Sequence, residues 1–334
     1  MAKKILVLPG DGVGPEVTSA AISVIGAVAG GDVTITYGDI GLSAFERTGQ
    51  HLPAETVDLA TEADAIIVGT VVDKTGDRKY HNPVRVLKKQ LNLYAVIRKF
   101  FPLCDRIGVP GVDILVISGN PDSLLSVSET ESLDGVTSQK FMSVNSCRKL
   151  FSKTISVADA MNRKKITCVH RESLFPDSDG LFLDLFYKES AGSGFLIDDK
   201  EVDVAASEMV MDPTSFDVIV STDMYGTVLG GIGAGMVGGG YLTPVGSLGD
   251  SIGLFEPMHG PRPELASKGN VNPTSAILSG AMALDHIGMT SRSEKIRKAV
   301  RAVYADGRIT SDIGGIMGTD GFTAAVIEVL KNNE

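Results

Sequence analysis

The stretch STDMYGTVLGGIGAGMVGGG, residues 221–240, decides between two classes of fold, because it holds eight glycines and a single charged residue, Asp223. No charge occurs from Met224 to Gly249, so the length alone would allow a membrane span. Three features argue against a membrane span. Glycine gains almost no free energy on transfer into a membrane, no Lys or Arg cluster flanks the stretch, and Pro244 interrupts it. The sequence therefore predicts a chain outside the membrane in which bare backbone packs closely against another element or a ligand.

Composition points to a soluble globular protein. The chain has 334 residues, 43% hydrophobic and 22% charged, enough for one large or two ordinary domains. A net charge of -10 argues against nucleic acid as a partner. The three cysteines lack metal-ligand spacing, and the N-terminus lacks the pattern of a signal peptide. We expect a cytoplasmic protein with reduced thiols.

Short β-branched runs alternate with segments of helical character along the chain, which predicts an α/β fold with a large, mainly parallel sheet. The predicted helices include Pro15–Ala29, Ser291–Tyr304 and the segment GTDGFTAAVIEVL. A further helix is predicted in 271–288, with Asn272 as the N-cap and Pro273 at the first helical position. The predicted strands are KILVLPG, VTITYG, ADAIIVGT, DILVISG, KITCVH and FDVIVST.

The segment LPGDGVGPE, residues 8–16, has two interpretations. Glycines between a strand and a helix can cradle a phosphate. The spacing, however, matches neither the dinucleotide fingerprint nor a P-loop, so a tight strand-to-helix turn is favoured.

Three cations in VRVLKKQLNLYAVIRKF also allow two interpretations. Arg85 and Lys88 lie one turn apart on a predicted helix, and Arg98 follows on a strand. Converging cations suit a polycarboxylate ligand, which a guanidinium can grip with two hydrogen bonds. The alternative is a solvated basic face.

The long irregular segment FEPMHGPRPELASKGNVNPT, residues 255–274, contains His259, Glu264 and Asn272. Binding residues concentrate in such segments, although a single histidine is equally compatible with a structural loop.

Taken in order, these motifs resemble the NAD(P)-dependent decarboxylating dehydrogenases of isocitrate, 3-isopropylmalate, homoisocitrate and tartrate. The resemblance covers nearly the whole chain and rests on LPGDGVGPE, LNLYAVIR, FDVIVSTDMYG, FEPMHG, NPTSAILSGAMAL and SDIGGIMGTDGFTAAV. The segments VH at 169–170 and DGLF at 179–182 look most like subunits of the NAD-dependent isocitrate branch, including its regulatory subunits.

The resemblance implies a substrate site with several replaced residues. The substrate arginines of the family fall on Lys88, on Arg98, which is retained, and on Ser118. The tyrosine that protonates the enol falls on Leu125. The catalytic lysine falls on Arg171, and a guanidinium stays protonated, so it cannot act as a general base.

The implied metal site is also reduced. Family members place two acids one turn apart on the glycine-rich helix, and these positions are Thr227 and Gly231. The remaining carboxylate, supplied by the partner subunit in the family, matches Asp203. One carboxylate is a weak site for Mg2+ or Mn2+, which prefer oxygen ligands. Asp223 offers a possible replacement one turn earlier.

The cofactor side matches the family better, and it predicts NAD. The implied residues are Thr70, His259, Glu264, Asn272 and Asp312. An acid at Glu264 would accept hydrogen bonds from ribose and repel a 2'-phosphate. The alternative for Glu264 is an ordinary acid at a helix start.

The resemblance also implies a two-domain arrangement like that of isopropylmalate dehydrogenase. Residues 1–98 with 240–334 would form the large nucleotide-binding domain. Residues 99–239 would form the small domain, with the substrate cleft and the dimer interface. Arg171 and Asp203 would reach the cleft of the partner subunit, either a second copy or a catalytic paralogue.

Three functions remain open at this point. The replacements at Ser118, Leu125, Arg171, Thr227 and Gly231 favour a regulatory or weakly active subunit that binds a hydroxy acid and NAD, because groups that act as a unit are not individually dispensable. The second is an active NAD-dependent dehydrogenase with a remodelled site. The third is a small-molecule-binding regulator without a dehydrogenase partner.

Overall fold

The computed structural model describes residues 2–72, 81–119 and 125–332. Its strands are β1 (Lys3–Gly10), β2 (Val33–Tyr37), β3 (Ala65–Thr70), β4 (Ala95–Phe100), β5 (Ile114–Gly119), β6 (Leu125–Ser132), β7 (Gly135–Met142), β8 (Lys165–His170), β9 (Leu196–Glu201), β10 (Val218–Ser221), β11 (Pro244–Leu248) and β12 (Gly253–Pro257). Its helices are α1 (Gly14–Ala29), α2 (Leu42–Thr48), α3 (Ala54–Glu62), α4 (Pro83–Gln90), α5 (Val144–Ala160), α6 (Ser178–Ser190), α7 (Val202–Met211), α8 (Asp223–Met236), α9 (Thr274–His286), α10 (Thr290–Ala305) and α11 (Thr319–Asn332).

Within the described residues, ten strands form one sheet in the order β2-β1-β3-β12-β11-β4-β5-β10-β8-β9. The block β2-β1-β3-β12 is parallel throughout, and so is the block β5-β10-β8-β9. Between them, β11 and β4 pair antiparallel with each other and with their outer neighbours. The predicted α/β fold with a large, mainly parallel sheet is confirmed, and all six predicted strands are part of it.

The hydrophobic core follows the two parallel blocks. Helices α1, α9, α10 and α11 pack together beside the first block, around buried residues such as Ile5, Val24 and Phe322. Under the second block, Phe151 contacts Phe182 and Phe186 with ring centroids 4.8 and 5.6 Å apart. Burial of each such ring contributes about 1.5–3 kcal/mol. The sheet is continuous from β4 into β5, so the division at residues 98/99 and 239/240 stays a prediction.

Strands β6 and β7 form a separate antiparallel hairpin. Its tip residue Leu133 is fully exposed, and so are large parts of Val136 and Phe141. Leu125, the position of the family tyrosine, begins β6, but its side chain lies outside the described residues.

The predicted helices are all present with ends shifted by at most two residues, and the N-cap of α9 needs a correction. Pro273, rather than Asn272, is the N-cap residue, and Thr274 is the first helical residue. Asn272 still helps to start the helix, because its Oδ1 accepts a hydrogen bond from the Thr274 N–H at 3.0 Å. The helix ends at His286, and Gly288 follows with φ +81°, a conformation that favours glycine after a helix.

The segment 8–16 is a tight turn between β1 and α1. Gly10 has φ +74°, and a side chain there would collide with the carbonyl of Thr70. The Asp11 carboxylate accepts hydrogen bonds from the backbone N–H groups of Leu42, Ser43 and Val72 at 3.1, 2.9 and 3.0 Å. This carboxylate therefore ties the turn to α2 and to the end of β3, which positions one wall of the cleft described next.

Candidate active-site cleft

A cleft of about 420 Å³ lies where β3 and β12 end, beside α4 and α8. It brings together residues that are far apart in the sequence. Five of the predicted site residues line it: Thr70, Lys88, Arg98, Thr227 and His259. Arg85, Asn82 and Glu256 line it as well.

Arg98 is the buried cation of this cleft, with 9% of its surface exposed. Its Nη1 donates a hydrogen bond to the Ser118 hydroxyl at 3.2 Å. Burial lowers the pKa of the guanidinium, whereas the carboxylates of Asp223 and Glu256 act in the opposite direction. Arginine remains charged even after such a shift, so Arg98 offers a fixed positive charge to a ligand.

The positive charge of Lys88 is partly neutralised by an ion pair. Its ammonium group donates to the carboxylate of Glu256, and both side chains are mostly buried. Of the two interpretations of the three cations, the structure supports a shared site over a solvated basic face, because Arg85, Lys88 and Arg98 border the same cleft.

The close packing of helix α8 against the sheet explains several glycines of residues 221–240. A Cβ at Gly230 would lie 2.9 Å from Arg98 Cδ, one at Gly233 would lie 2.5 Å from Phe100 Cδ2, and Gly226 faces Ser118. These three glycines, at spacings of four and three, let the helix approach β4 and β5 closely. In the described part of the chain, no helix is long and apolar enough to cross a membrane. The glycines thus serve close packing beside Arg98.

The residues at the metal positions do not fit a divalent cation. Thr227 lines the cleft, and Gly231 is exposed, with open space where a Cβ would stand. Asp203 lies on α7 and accepts a hydrogen bond from Arg171 of the same chain at 2.6 Å. That contact lowers the pKa of Asp203. Among the described residues, no group of three or more His, Cys, Asp or Glu side chains is arranged to hold a metal.

Arg171 belongs to a cluster at the ends of β8 and β9. Its Nη1 also donates to Glu201 at 3.2 Å, and Glu201 accepts from Ser173. The bond to Asp203 raises the pKa of Arg171 further above its ordinary value. The structure therefore places Arg171 and Asp203 together, outside the cleft of their own chain.

His259 is the centre of the cofactor residues that the resemblance implies. Its ring stacks on Tyr241 with centroids 4.3 Å apart. Nδ1 contacts the Gly260 carbonyl at 3.0 Å and so acts as the donor, which leaves Nε2 as an acceptor. Nε2 and the Tyr241 hydroxyl are both buried without a hydrogen-bond partner in the described residues. Two unpaired polar atoms suit a ligand that carries hydrogen-bonding groups, as a nucleotide does.

The other predicted cofactor residues surround this stack. Asn272 is buried and donates to Asp312 and to the Tyr304 hydroxyl, at 3.2 and 3.3 Å. Glu264 is exposed and paired with Arg262 at 2.8 Å. Burial lowers the pKa of His259, while Asp312 acts in the opposite direction. Thr70 lines the cleft, but its hydroxyl donates to the Asp11 carbonyl at 2.8 Å.

Sequence reasoning missed two residues. Glu256 lies in the quoted motif FEPMHG, yet its pairing with Lys88 joins positions 168 residues apart. Tyr241 directly follows three glycines, and an aromatic residue in that position could have been singled out as a candidate binding residue.

The α/β fold places a cation-lined cleft beside the stack of His259 on Tyr241, an arrangement suited to an anionic small molecule and a nucleotide. Comparison with known proteins identifies the family of this chain. Residues 4–328 match the family model described as isocitrate/isopropylmalate dehydrogenase. The chain belongs to this family of oxidoreductases.

Relatives match along nearly their full length. An isocitrate/homoisocitrate dehydrogenase of Thermus thermophilus is 36% identical, covering 99% of this chain and 100% of the relative. A probable mitochondrial isocitrate dehydrogenase [NAD] subunit alpha of Caenorhabditis elegans is 30% identical, covering 99% and 93%. The crystal structure of isocitrate dehydrogenase from Methylococcus capsulatus superimposes with a TM-score of 0.89 at 31% identity, covering 98% and 99%.

Proposed function

We propose that this chain is a regulatory or weakly active subunit of an NAD-dependent dehydrogenase of the isocitrate type, which binds a hydroxy-polycarboxylate and NAD. One observation carries the proposal. Thr227 and Gly231 supply no carboxylate to a metal, and Asp203 is bound to Arg171 of its own chain. Without a metal ligand set, the cleft lacks the group that would polarise the substrate hydroxyl and stabilise an enolate.

The acid–base positions support the same proposal. Arg171 replaces a lysine, and its pKa is raised by Asp203, so it stays protonated at any working pH. Ser118 has no charge to offer a ligand, and its hydroxyl accepts a hydrogen bond from Arg98. Proton transfer by a positioned base accounts for about 10²–10⁴-fold in rate, so its loss alone would leave a weak enzyme.

The binding functions are better supported than the chemistry. Arg98 and Arg85 border the cleft and suit the carboxylates of a hydroxy acid, and Lys88 adds a charge that Glu256 partly neutralises. Tyr241 and His259 provide a ring stack and two unpaired polar atoms for the adenosine half of NAD. Glu264 disfavours a 2'-phosphate and hence NADP. Bound NAD would supply the hydride acceptor, while these residues would orient it.

We expect the chain to work as a dimer, with a second copy or with a catalytic paralogue. Met224 and Val228 on α8 are each 57% exposed and one turn apart. Val204 on α7 adds to the same kind of apolar surface. Pairing through these helices would bring Arg171 and Asp203 towards the partner's cleft. The three free cysteines suit the cytoplasm as location.

A second candidate is an active dehydrogenase with a remodelled site. It is favoured by Asp223, whose charge acts on the pKa of Arg98 and which therefore lies near the cleft. In that enzyme, Asp223 or a water molecule would take the proton from the substrate hydroxyl.

Calorimetry tests the binding proposal. NAD and a panel of isocitrate, homoisocitrate, 3-isopropylmalate, malate and tartrate are titrated into the purified chain, each with and without Mg2+ or Mn2+. We expect NAD and one acid to bind, with an acid affinity that the metal leaves unchanged. Arg98→Met should abolish acid binding and spare NAD. A tenfold or greater gain in acid affinity on adding metal would contradict the proposal, because it would reveal a working metal site.

A further inference from the structure

A second polar cavity lies on the opposite side of β4 from the cleft. Successive residues of a strand point to opposite faces of the sheet, and Arg98 lines the cleft while Lys99 lines this cavity. The cavity has a volume of about 380 Å³, and Phe101 and Arg301 also contribute to its wall. It is therefore separate from the site already described.

Two cations converge on one aromatic ring in this cavity. Lys99 Nζ lies 5.3 Å and Arg301 Cζ lies 4.7 Å from the ring centroid of Phe101. Within the described residues, neither side chain has a hydrogen bond or an ion pair. Cation–π contacts of this kind offset only part of the repulsion between two like charges. The convergence therefore leaves positive charge at the ring that no hydrogen-bonded carboxylate of the described residues neutralises.

The neighbouring arginines do not relieve this charge, because their own partners are already in place. Arg163 binds Asp113 at 2.7 Å and Asp217 at 2.9 Å. Arg297 binds Glu294 and Asp285. Burial lowers the pKa of Lys99, and the positive charges of Arg163, Arg297 and Arg301 lower it further.

The acids of the cavity determine what it can hold. Asp113 is engaged by Arg163, and its charge favours the protonated form of Lys99. Asp105 lies on the wall as an exposed carboxylate. We propose that Lys99, Arg301 and Phe101 form a binding site for a compact, doubly charged oxyanion such as a phosphate or a dicarboxylate. A ligand with a hydroxyl or a protonated oxygen could also donate to Asp105.

Thermal unfolding of the full chain tests this site. Inorganic phosphate and malonate are titrated separately against sodium chloride of equal ionic strength, because a ligand that binds the folded state raises the melting temperature. We expect at least one of the two to raise it saturably. Lys99→Met, which keeps the apolar stem, and Arg301→Gln should each raise the half-saturating concentration by about tenfold, as expected for loss of a charge-assisted hydrogen bond.

Lys298→Gln is the matched control, since it removes an exposed charge from the same helix without touching the cavity, and it should leave the titration unchanged. The response to phosphate or to malonate identifies which oxyanion the site prefers. The proposal is overturned by no stabilisation beyond that of chloride. It is equally overturned by stabilisation that Lys99→Met and Arg301→Gln leave intact, since the anion would then bind elsewhere, for example in the cleft. Arg301 is exposed, so its variant should fold even if Lys99→Met does not.

Discussion

At the scale of single residues, the ion pair between Lys88 and Glu256 sets how much positive charge the cleft presents to an anion. Glu256→Gln frees Lys88 and removes one negative charge, so we expect an anionic hydroxy acid to bind about tenfold more tightly, measured by calorimetry. Glu264→Gln is the control, because Glu264 is exposed and pairs with Arg262 instead. Equal effects of the two substitutions would show that the Lys88 pair does not limit binding.

Two histidines predict how stability responds to mild acid. Burial lowers the pKa of His259 and of His286 below the ordinary value of 6.5. Between 6.5 and the lowered values, the unfolded chain binds more protons than the folded chain, so stability is lost as the pH falls. The loss should reach at most about 1 kcal/mol for His259 by pH 5.5, and less for His286, which is partly exposed and better screened by solvent. Carboxyl groups with a lowered pKa, such as Asp217, reduce the stability only at more acidic pH, below 3.8.

Urea unfolding at pH 7.5 and 5.5 measures this effect. The double variant His259→Gln/His286→Gln should lose less stability between the two pH values than the native chain does. An unchanged difference would mean that other groups are responsible.

At the scale of elements, α8 has one glycine face that touches the sheet. Gly233→Ala places a methyl group against Phe100, and overpacking of this kind costs about 1–3 kcal/mol of unfolding free energy. Gly26→Ala in α1 is the control, because it has open space around it and should stabilise that helix by up to about 1 kcal/mol. Denaturant unfolding of both variants distinguishes them. A neutral Gly233→Ala would contradict the close-packing account.

The sequence predicts some of these features and not others, for physical reasons. Five of the six predicted strands were predictable because buried parallel strands are continuous β-branched runs, and the edge strand β2 was predictable from its β-branched residues although it is not buried. The contacts of α8 were not, because Gly233 meets Phe100, a residue remote in sequence. The pairing of Lys88 with Glu256 is likewise long-range. The N-cap of α9 differed by one residue, since Asn272 bonds to the Thr274 N–H from one position further out.

At the scale of the whole molecule, the exposed apolar surface of α7 and α8 predicts self-association. Val228→Glu places a charge on this surface, and we expect it to weaken dimerisation by at least about tenfold in sedimentation equilibrium. Ile316→Glu is the control at another exposed apolar residue, which is 98% exposed and lies outside both helices. Identical association of the two variants would show that the surface of α7 and α8 does not mediate self-association.

The most direct measurement for the whole account is the formation of NADH, followed at 340 nm, by the purified chain with NAD, Mg2+ or Mn2+ and the panel of hydroxy acids. This measurement tests whether the cleft binds NAD and a hydroxy acid but lacks the groups needed for turnover. We expect no robust, metal-dependent NADH formation from a folded chain that still binds NAD or one acid. Robust, metal-dependent turnover on any acid of the panel would contradict the claim and direct attention to Asp223 as the base.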